Sequence, residues 1–173
     1  WRQTFPEPPA SEFNIVVRFT DNSLSSSQQV LFENAARRWG EIVIGDVPDV
    51  HTSIGMVDDM TIDARAITID GSGGVLANAN PSWFRPGSRI PARGLMSFDS
   101  ADVFRLERDG LLPAVILHEM GHVLGFGTQW MSHGLISGGE DGPHFSGPRA
   151  VVEYQQIFSV SETTVPVANT GDS

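Results

Sequence analysis

The stretch that decides the fold runs from residue 118 to residue 125 and reads HEMGHVLG. Its histidines, His118 and His122, are four positions apart, so on a helix of 3.6 residues per turn they lie about 40° apart. Two imidazoles placed in this way can bind one zinc ion, and the Glu119 carboxylate beside them can take a proton from water. The pattern predicts a hydrolytic metal site with ligands His118 and His122 and the general base Glu119. The alternative is that this spacing arose by chance on an amphipathic helix.

The residues around this stretch predict a buried helix from about Pro113 to Gly125. Proline suits the first turn of a helix, where its missing N–H is not needed. The positions on either side of the histidines are apolar, at 115–117 and 123–124. Gly125 is predicted to end the helix, because glycine adopts the left-handed backbone conformation without strain.

Hydrophobic periodicity predicts the elements farther out. Apolar residues alternate over 13–19, and the composition of 61–70 also favours a strand. Residues 71–81 predict a glycine turn followed by a short edge strand that Pro81 closes. Residues 82–97 are predicted to form a loop.

Three helices are predicted besides the one that carries the histidines. Apolar residues three and four apart over 28–43 predict a long helix that Ser26 or Ser27 caps. Asp99 is predicted to cap a short helical piece after it. The same helical spacing recurs over 149–158.

Composition narrows the class of protein. The 173 residues carry a net charge of -10, which repels phosphate backbones and anionic lipids, so nucleic acid is not an expected partner. There is no cysteine, so a transition metal must be held by His, Asp or Glu. No apolar run is long enough for a membrane span. Because the chain starts at Trp1 without a signal segment, we expect a processed or trimmed chain. Its length favours one domain, and we expect a monomer.

The signature H-E-x-x-H-x-x-G resembles that of the metzincin zinc proteases. The chain is similar in particular to the leishmanolysins, and to their bacterial members because it lacks cysteine. The similar segments spread over most of the chain: ILHEMGHVLGFGTQW (116–130), GGVLANANP (73–81), FDSADV (98–103), HFSGPRAVVEY (144–154) and VPVANTGDS (165–173).

This resemblance implies a secreted zinc endopeptidase that cleaves protein or peptide substrates. It implies an α+β, metzincin-like fold, with a twisted mixed sheet of four or five strands and two long helices. In most metzincins a third histidine ligand stands where this chain has Thr128, whereas leishmanolysins place it after a long insertion. A segment like 165–173 leads into that histidine in the family. We therefore expect a fragment that ends before its third ligand, with an upper subdomain at 1–125 and a truncated lower one at 126–173.

Other sources of the third ligand stay open. His133 and His144 lie in glycine-rich sequence, and Glu153 lies on the last predicted helix. A glutamate from a second helix completes the zinc site in gluzincins, so Glu153 defines the alternative architecture. A catalytically inert metal-binding fragment or interaction module is a further alternative.

A substrate-binding segment is predicted before Pro81. In metzincins an exposed edge strand above the metal pairs with an extended peptide by its backbone. The segment that corresponds here comprises Gly74, Val75, Leu76, Ala77 and Asn78. The alternative is an ordinary edge strand.

A calcium site is also suggested by resemblance to matrixins, in which a similar Asp-Gly-x-Gly turn and two later acidic residues bind the ion. Calcium requires six to eight oxygen ligands. The residues that would supply them are Asp70, Gly71, Gly73, Val75, Asp99 and Asp102. The alternative is an ordinary turn beside a helix cap at Asp99.

Overall fold

The computed structural model describes residues 13–138 and 142–167. The chain divides into two compact units, residues 1–125 and residues 126–173. Both helices and strands occur in the first unit, so the α+β class predicted from the sequence is confirmed. Its described elements are β1 (Ile15–Phe19), α1 (Ser26–Ile42), β2 (Val50–Thr52), β3 (Gly55–Val57), β4 (Met60–Ile67), β5 (Ala77–Phe84), β6 (Pro91–Asp99), α2 (Val103–Arg108) and α3 (Leu112–Leu124).

A mixed four-stranded sheet forms the framework of the first unit. Its strand order is β1-β4-β6-β5, in which β1, β4 and β6 are parallel and β5 is antiparallel to β6. The described strands β2 and β3 form a separate hairpin. The antiparallel strand β5 therefore lies at one edge of the main sheet.

One face of this sheet packs with α1 and α3 to form the core. Strands β4 and β6 contribute Ile62, Ala64, Met96 and Phe98, all almost completely buried. From α1, Phe32 lies against Phe98 in an edge-to-face contact with ring centroids 5.1 Å apart.

The start of α1 differs from the prediction by one residue. Ser25 is the cap: its side chain accepts the Gln28 N–H, and the Gln28 side chain accepts the Ser25 N–H. This reciprocal pair is a capping box. The predicted caps Ser26 and Ser27 instead lie inside the helix.

The prediction of a loop over 82–97 is wrong. Strand β5 continues through Pro81 to Phe84, and β6 (Pro91–Asp99) is an inner strand paired on both sides. An inner strand that is buried over most of its length does not alternate strictly in hydrophobicity, and in β6 only Leu95 is exposed. Proline and glycine within residues 91–94 further concealed this strand.

The second unit contains the described strands β7 (Ile136–Ser137), β8 (His144–Phe145) and β9 (Val165–Pro166), which form a small antiparallel sheet in the order β7-β8-β9. Between β8 and β9 lies α4 (Pro148–Phe158), which confirms the helix predicted there. The ring of Trp130 packs against that of Phe145 with centroids 4.7 Å apart.

Candidate metal centre

Helix α3 carries His118, Glu119 and His122. It begins at Leu112 with Pro113 in its first turn, as the sequence predicted. It ends at Gly125, whose φ of 109° lies in the left-handed region. The Gly125 N–H donates to the carbonyls of Gly121 and His122, so the last turn is closed three residues after the second histidine.

The two histidine side chains converge on one point. Their Nε2 atoms are 3.0 Å apart, and the ring planes are nearly perpendicular at 88°. Imidazoles that meet in this way either share one proton or hold a common ion. A tetrahedral zinc with Zn–N bonds of about 2.0–2.1 Å would separate its two nitrogens by roughly 3.3 Å. The pair therefore fits a zinc ion with a change of a few tenths of an ångström.

Glu119 is partly buried beside the histidines. Burial raises the pKa of Glu119 above the ordinary value, while electrostatic interactions with His122 and His118 lower it by a smaller amount. Burial has this effect because it penalises the charged carboxylate. A carboxylate whose pKa is raised is a stronger base and accepts a proton more readily.

The residues considered for a third ligand belong to the second unit. His144 is in β8, and its buried Nδ1 has no hydrogen-bond partner within the described part of the chain. Glu153 is on α4 and lines a cavity of about 280 Å³ together with Pro148, Arg149 and Val152. His133 lies in a turn before β7, and its N–H donates to the Gln129 carbonyl. A role for any of them as a ligand stays a prediction.

Asp99 lies at the centre of the predicted calcium site and is completely buried. Its Oδ2 accepts the N–H groups of Ile69, Asp70 and Gly71 at 2.9, 2.9 and 3.0 Å, and its Oδ1 accepts that of Ala101 at 2.7 Å. These donors, chiefly those of Ala101 and Gly71, lower the pKa of Asp99 to about 2. Both carboxylate oxygens are therefore occupied by backbone donors.

The other two carboxylates are also supplied with donors. Asp102 accepts the Gly73 N–H at 3.1 Å and the Arg105 guanidinium at 2.6 and 3.1 Å. Asp70 accepts the Val75 N–H at 3.0 Å. Calcium would have to displace these N–H groups from the carboxylates, and Arg105 supplies a positive charge beside Asp102. The described contacts give no support to the predicted calcium site, and calcium binding there stays a prediction.

The alternative of an ordinary Asp-Gly turn describes this segment, with one correction. Asp99 does not cap a helix, because the residue before α2 is Asp102. The Asp102 side chain makes no capping hydrogen bond either, since Arg105 and the turn occupy it. Asp99 instead joins β6 to the turn over residues 69–71.

The predicted substrate segment is divided between a loop and the edge strand. Gly74, Val75 and Leu76 precede β5, whereas Ala77 and Asn78 are its first two residues. The Leu76 carbonyl accepts the Asp99 N–H at 2.9 Å. Side chains along β5 alternate in burial, as expected for an edge strand with one face on the core.

A second group of acidic residues lies elsewhere in the first unit. Among the described residues, Asp46, Asp58 and Asp59 form a group whose ligand oxygens lie within 4.8 Å of one another. Asp59 is buried and accepts two backbone N–H groups, and burial raises its pKa. The buried Arg85 guanidinium donates to the carbonyls of Asp58 and Asp59. Its positive charge offsets part of the negative charge there.

Two residues that contact α3 were not identified as functional from the sequence. The Trp39 indole of α1 donates to the Leu117 carbonyl at 3.0 Å, and Gly94 of β6 lies against Val123. The sequence pattern of α1 indicated that Trp39 is apolar and packed, but no local signal gives a hydrogen bond between residues 78 positions apart.

Converging histidines beside a partly buried glutamate, on a helix packed against a mixed sheet, define a metal-dependent hydrolase arrangement. The family model of leishmanolysin, peptidase family M8, matches residues 37–138, which is more than half of the chain. The chain belongs to the leishmanolysin family of metallopeptidases, as the resemblance predicted. No curated protein matches the chain.

Membership of this family implies a zinc metallopeptidase that acts on protein substrates. Proteases of the family are typically extracellular or located at the cell surface. Within the described residues, no helix is both long and apolar enough to cross a membrane.

Proposed function

We propose that this protein is a secreted, monomeric zinc endopeptidase of the metzincin type. His118 and His122 are its zinc ligands, and Glu119 is its general base. The observation that carries the proposal is the 3.0 Å approach of the two Nε2 atoms on the helical turn that also bears Glu119. Calcium is left out of the proposal because the carboxylates of its predicted site are occupied by N–H donors.

In this mechanism each side chain has a separate task. Zinc, when bound, would supply a positive charge that polarises the scissile carbonyl and lowers the pKa of the attacking water. Glu119 takes the proton of that water and later delivers it to the leaving amine. Its partial burial favours this role, because the raised pKa allows the carboxylate to accept and then release a proton. His118 and His122 act as neutral ligands and keep their positions throughout.

The edge strand β5 is proposed to hold the substrate. An extended peptide can add to the free edge of β5 by backbone hydrogen bonds, and pockets between side chains then select its sequence. The proposed contacts run from Gly74 to Asn78, the last two of which lie in the strand itself. The antiparallel position of β5 at the sheet edge supports this assignment.

Two alternatives make different predictions. In a gluzincin-type protease Glu153 would be a metal ligand, so its replacement would remove zinc. In an inert metal-binding module the histidines would bind zinc, but Glu119 would have no effect on any reaction. The left-handed Gly125, three residues after the second histidine, favours the metzincin plan, because that glycine belongs to the metzincin signature.

The proposal is tested by Glu119→Gln, with Glu153→Gln as the matched control. We expect Glu119→Gln to lower casein hydrolysis by at least 100-fold, within the range typical of a lost general base. Zinc content, measured by atomic absorption, should stay near that of the wild type because the carboxylate is not a ligand. Glu153→Gln should leave both quantities unchanged. Full activity in Glu119→Gln would refute the general base, and loss of zinc in Glu153→Gln would favour the gluzincin plan.

A further inference from the structure

Trp39 on α1 makes a hydrogen bond to the helix that carries the histidines. Its indole Nε1–H donates to the carbonyl of Leu117 at 3.0 Å, and Leu117 directly precedes His118. A carbonyl in the middle of an α-helix already accepts the N–H four residues later, and its second lone pair remains available. The bond from Trp39 is therefore additional to those that form the helix. It ties α3 to α1 one residue before the first ligand.

A second contact holds the same helix against the sheet. Gly94 of β6 lies so close to Val123 that a Cβ added to it would be 2.0 Å from the Val123 Cγ1. Val123 directly follows His122 and is completely buried. The absence of a side chain at Gly94 thus lets the helix approach the strand at this position. This contact fixes the distance between α3 and β6 at the residue that follows the second ligand.

The two contacts lie on either side of the turn from His118 to His122, one at residue 117 and the other at residue 123. Close packing at Gly94 restricts movement of α3 toward or along β6, whereas the directional bond from Trp39 restricts rotation of α3 about its axis. Rotation matters because it moves both imidazoles together relative to the rest of the molecule. The 3.0 Å approach of the two Nε2 atoms is a property of the helix itself, so the two contacts act on the direction in which both imidazoles face.

We propose that Trp39 is a positioning residue for the zinc site, acting through its N–H on the Leu117 carbonyl. This inference rests on the proposed function, since it assumes that His118 and His122 bind zinc. The indole ring also packs at the edge of the core, so its shape and its hydrogen bond have to be tested separately. Groups that orient metal ligands typically change metal affinity or activity by 10- to 100-fold when they are removed.

The test compares Trp39→Phe with Trp83→Phe. Trp83 is a half-buried tryptophan on β5. Among the described residues its side chain makes no hydrogen bond to α3, so its replacement removes a similar ring and leaves that helix untouched. Zinc affinity is measured by competition with a chromophoric chelator, and the ligand field by the visible absorption of the cobalt-substituted protein. Urea unfolding of the zinc-free proteins reports the loss of packing in each variant. Incorporation of 3-benzothienylalanine at position 39 keeps the bicyclic shape but lacks the N–H.

We expect Trp39→Phe to weaken zinc binding by roughly tenfold, at the lower end of the range for such groups. The cobalt absorption should also change, whereas Trp83→Phe should match the wild type in both measurements. The benzothienyl variant should behave like Trp39→Phe although its stability stays near that of the wild type. Wild-type zinc affinity and cobalt absorption in the benzothienyl variant would overturn the proposal. If His118→Ala binds zinc as the wild type does, the proposed function itself fails and the positioning role fails with it.

Discussion

At the scale of single residues, Asp99 shows how one buried carboxylate organises a loop. Four backbone N–H groups surround it, three of them from residues 69–71, about thirty positions earlier in the chain. A carboxylate that accepts several backbone N–H groups is stabilised in its charged form. The strand β6 and the turn before β5 are therefore joined by an anion that has to stay ionised.

This arrangement predicts a particular response to acid. The pKa of Asp99 falls from 3.8 to about 2 in the folded protein, because backbone N–H groups stabilise its charged form. A lowered folded-state pKa adds stability that is present above the unfolded value and is lost as the pH falls toward the folded one. We expect the free energy of unfolding, measured by urea titration, to decrease between pH 4 and pH 2. In Asp99→Asn it should be smaller at pH 6 and should decrease less steeply in that window.

The control for this prediction is Glu33→Gln, an exposed change on α1 that should leave the pH profile intact. An equally steep decrease in Asp99→Asn would show that Asp99 does not cause the acid sensitivity. The same titration with calcium and with a chelator should give identical curves, because the donors around Asp99 are already N–H groups. A calcium-specific gain in stability would support the predicted calcium site.

Single residues were predictable where their role depends on nearby sequence. The spacing of His118, Glu119 and His122 is a property of one helical turn. Gly125 ends the same helix, and its left-handed conformation is typical of glycine. The role of Asp99 was not predictable, because its donors come from another part of the chain. The three aspartates suggested a calcium ion. The sequence did not indicate that the Arg105 guanidinium donates to Asp102.

At the scale of elements, the packing of α3 on β6 depends on a missing side chain. Val123 occupies the space where a Cβ of residue 94 would lie. The interior of a protein is close-packed, so an added methyl group has to displace a neighbour. The relation between strand and helix is therefore set by one small residue opposite one branched residue.

Gly94→Ala should lower the free energy of unfolding by about 1–3 kcal/mol, as is usual for overpacking. Adding Val123→Ala should relieve the clash, so the double variant should be more stable than the sum of the single changes predicts, by about 0.5–3 kcal/mol. Gly45→Ala is the control, since a Cβ at Gly45 would meet no atom within 4 Å. Urea unfolding measures all four variants. Additive effects in the double variant would show that the two positions do not interact.

The elements that the sequence predicted well share a clear periodicity. The strand β1 alternates because one of its faces is covered by helices, and α1 and α3 have apolar residues at helical spacing. By contrast β6 is buried except around Leu95, and it contains Gly94, a residue that predicts a break in a strand. The glycine is needed because of Val123, a residue of another element, so a local pattern cannot reveal the reason for it.

At the scale of the whole molecule, the two units contain different candidate residues of the metal site. The unit of residues 1–125 contains the sheet, the histidine helix and Trp39. The unit of residues 126–173 contains the small sheet, α4 and the other residues considered as ligands, His133, His144 and Glu153. The family was predictable because its motifs are spread along the chain. The identity of the third ligand stays a prediction, because no local spacing connects a further residue to His118 and His122.

The most direct test of the central claim is an anomalous diffraction measurement at the zinc edge, on crystals grown with zinc. The account predicts a peak about 2.0–2.1 Å from Nε2 of both His118 and His122. The control is a data set collected below the edge, in which a peak caused by zinc should weaken strongly. A zinc peak at the Asp46, Asp58 and Asp59 group, with none between the two histidines, would contradict the account.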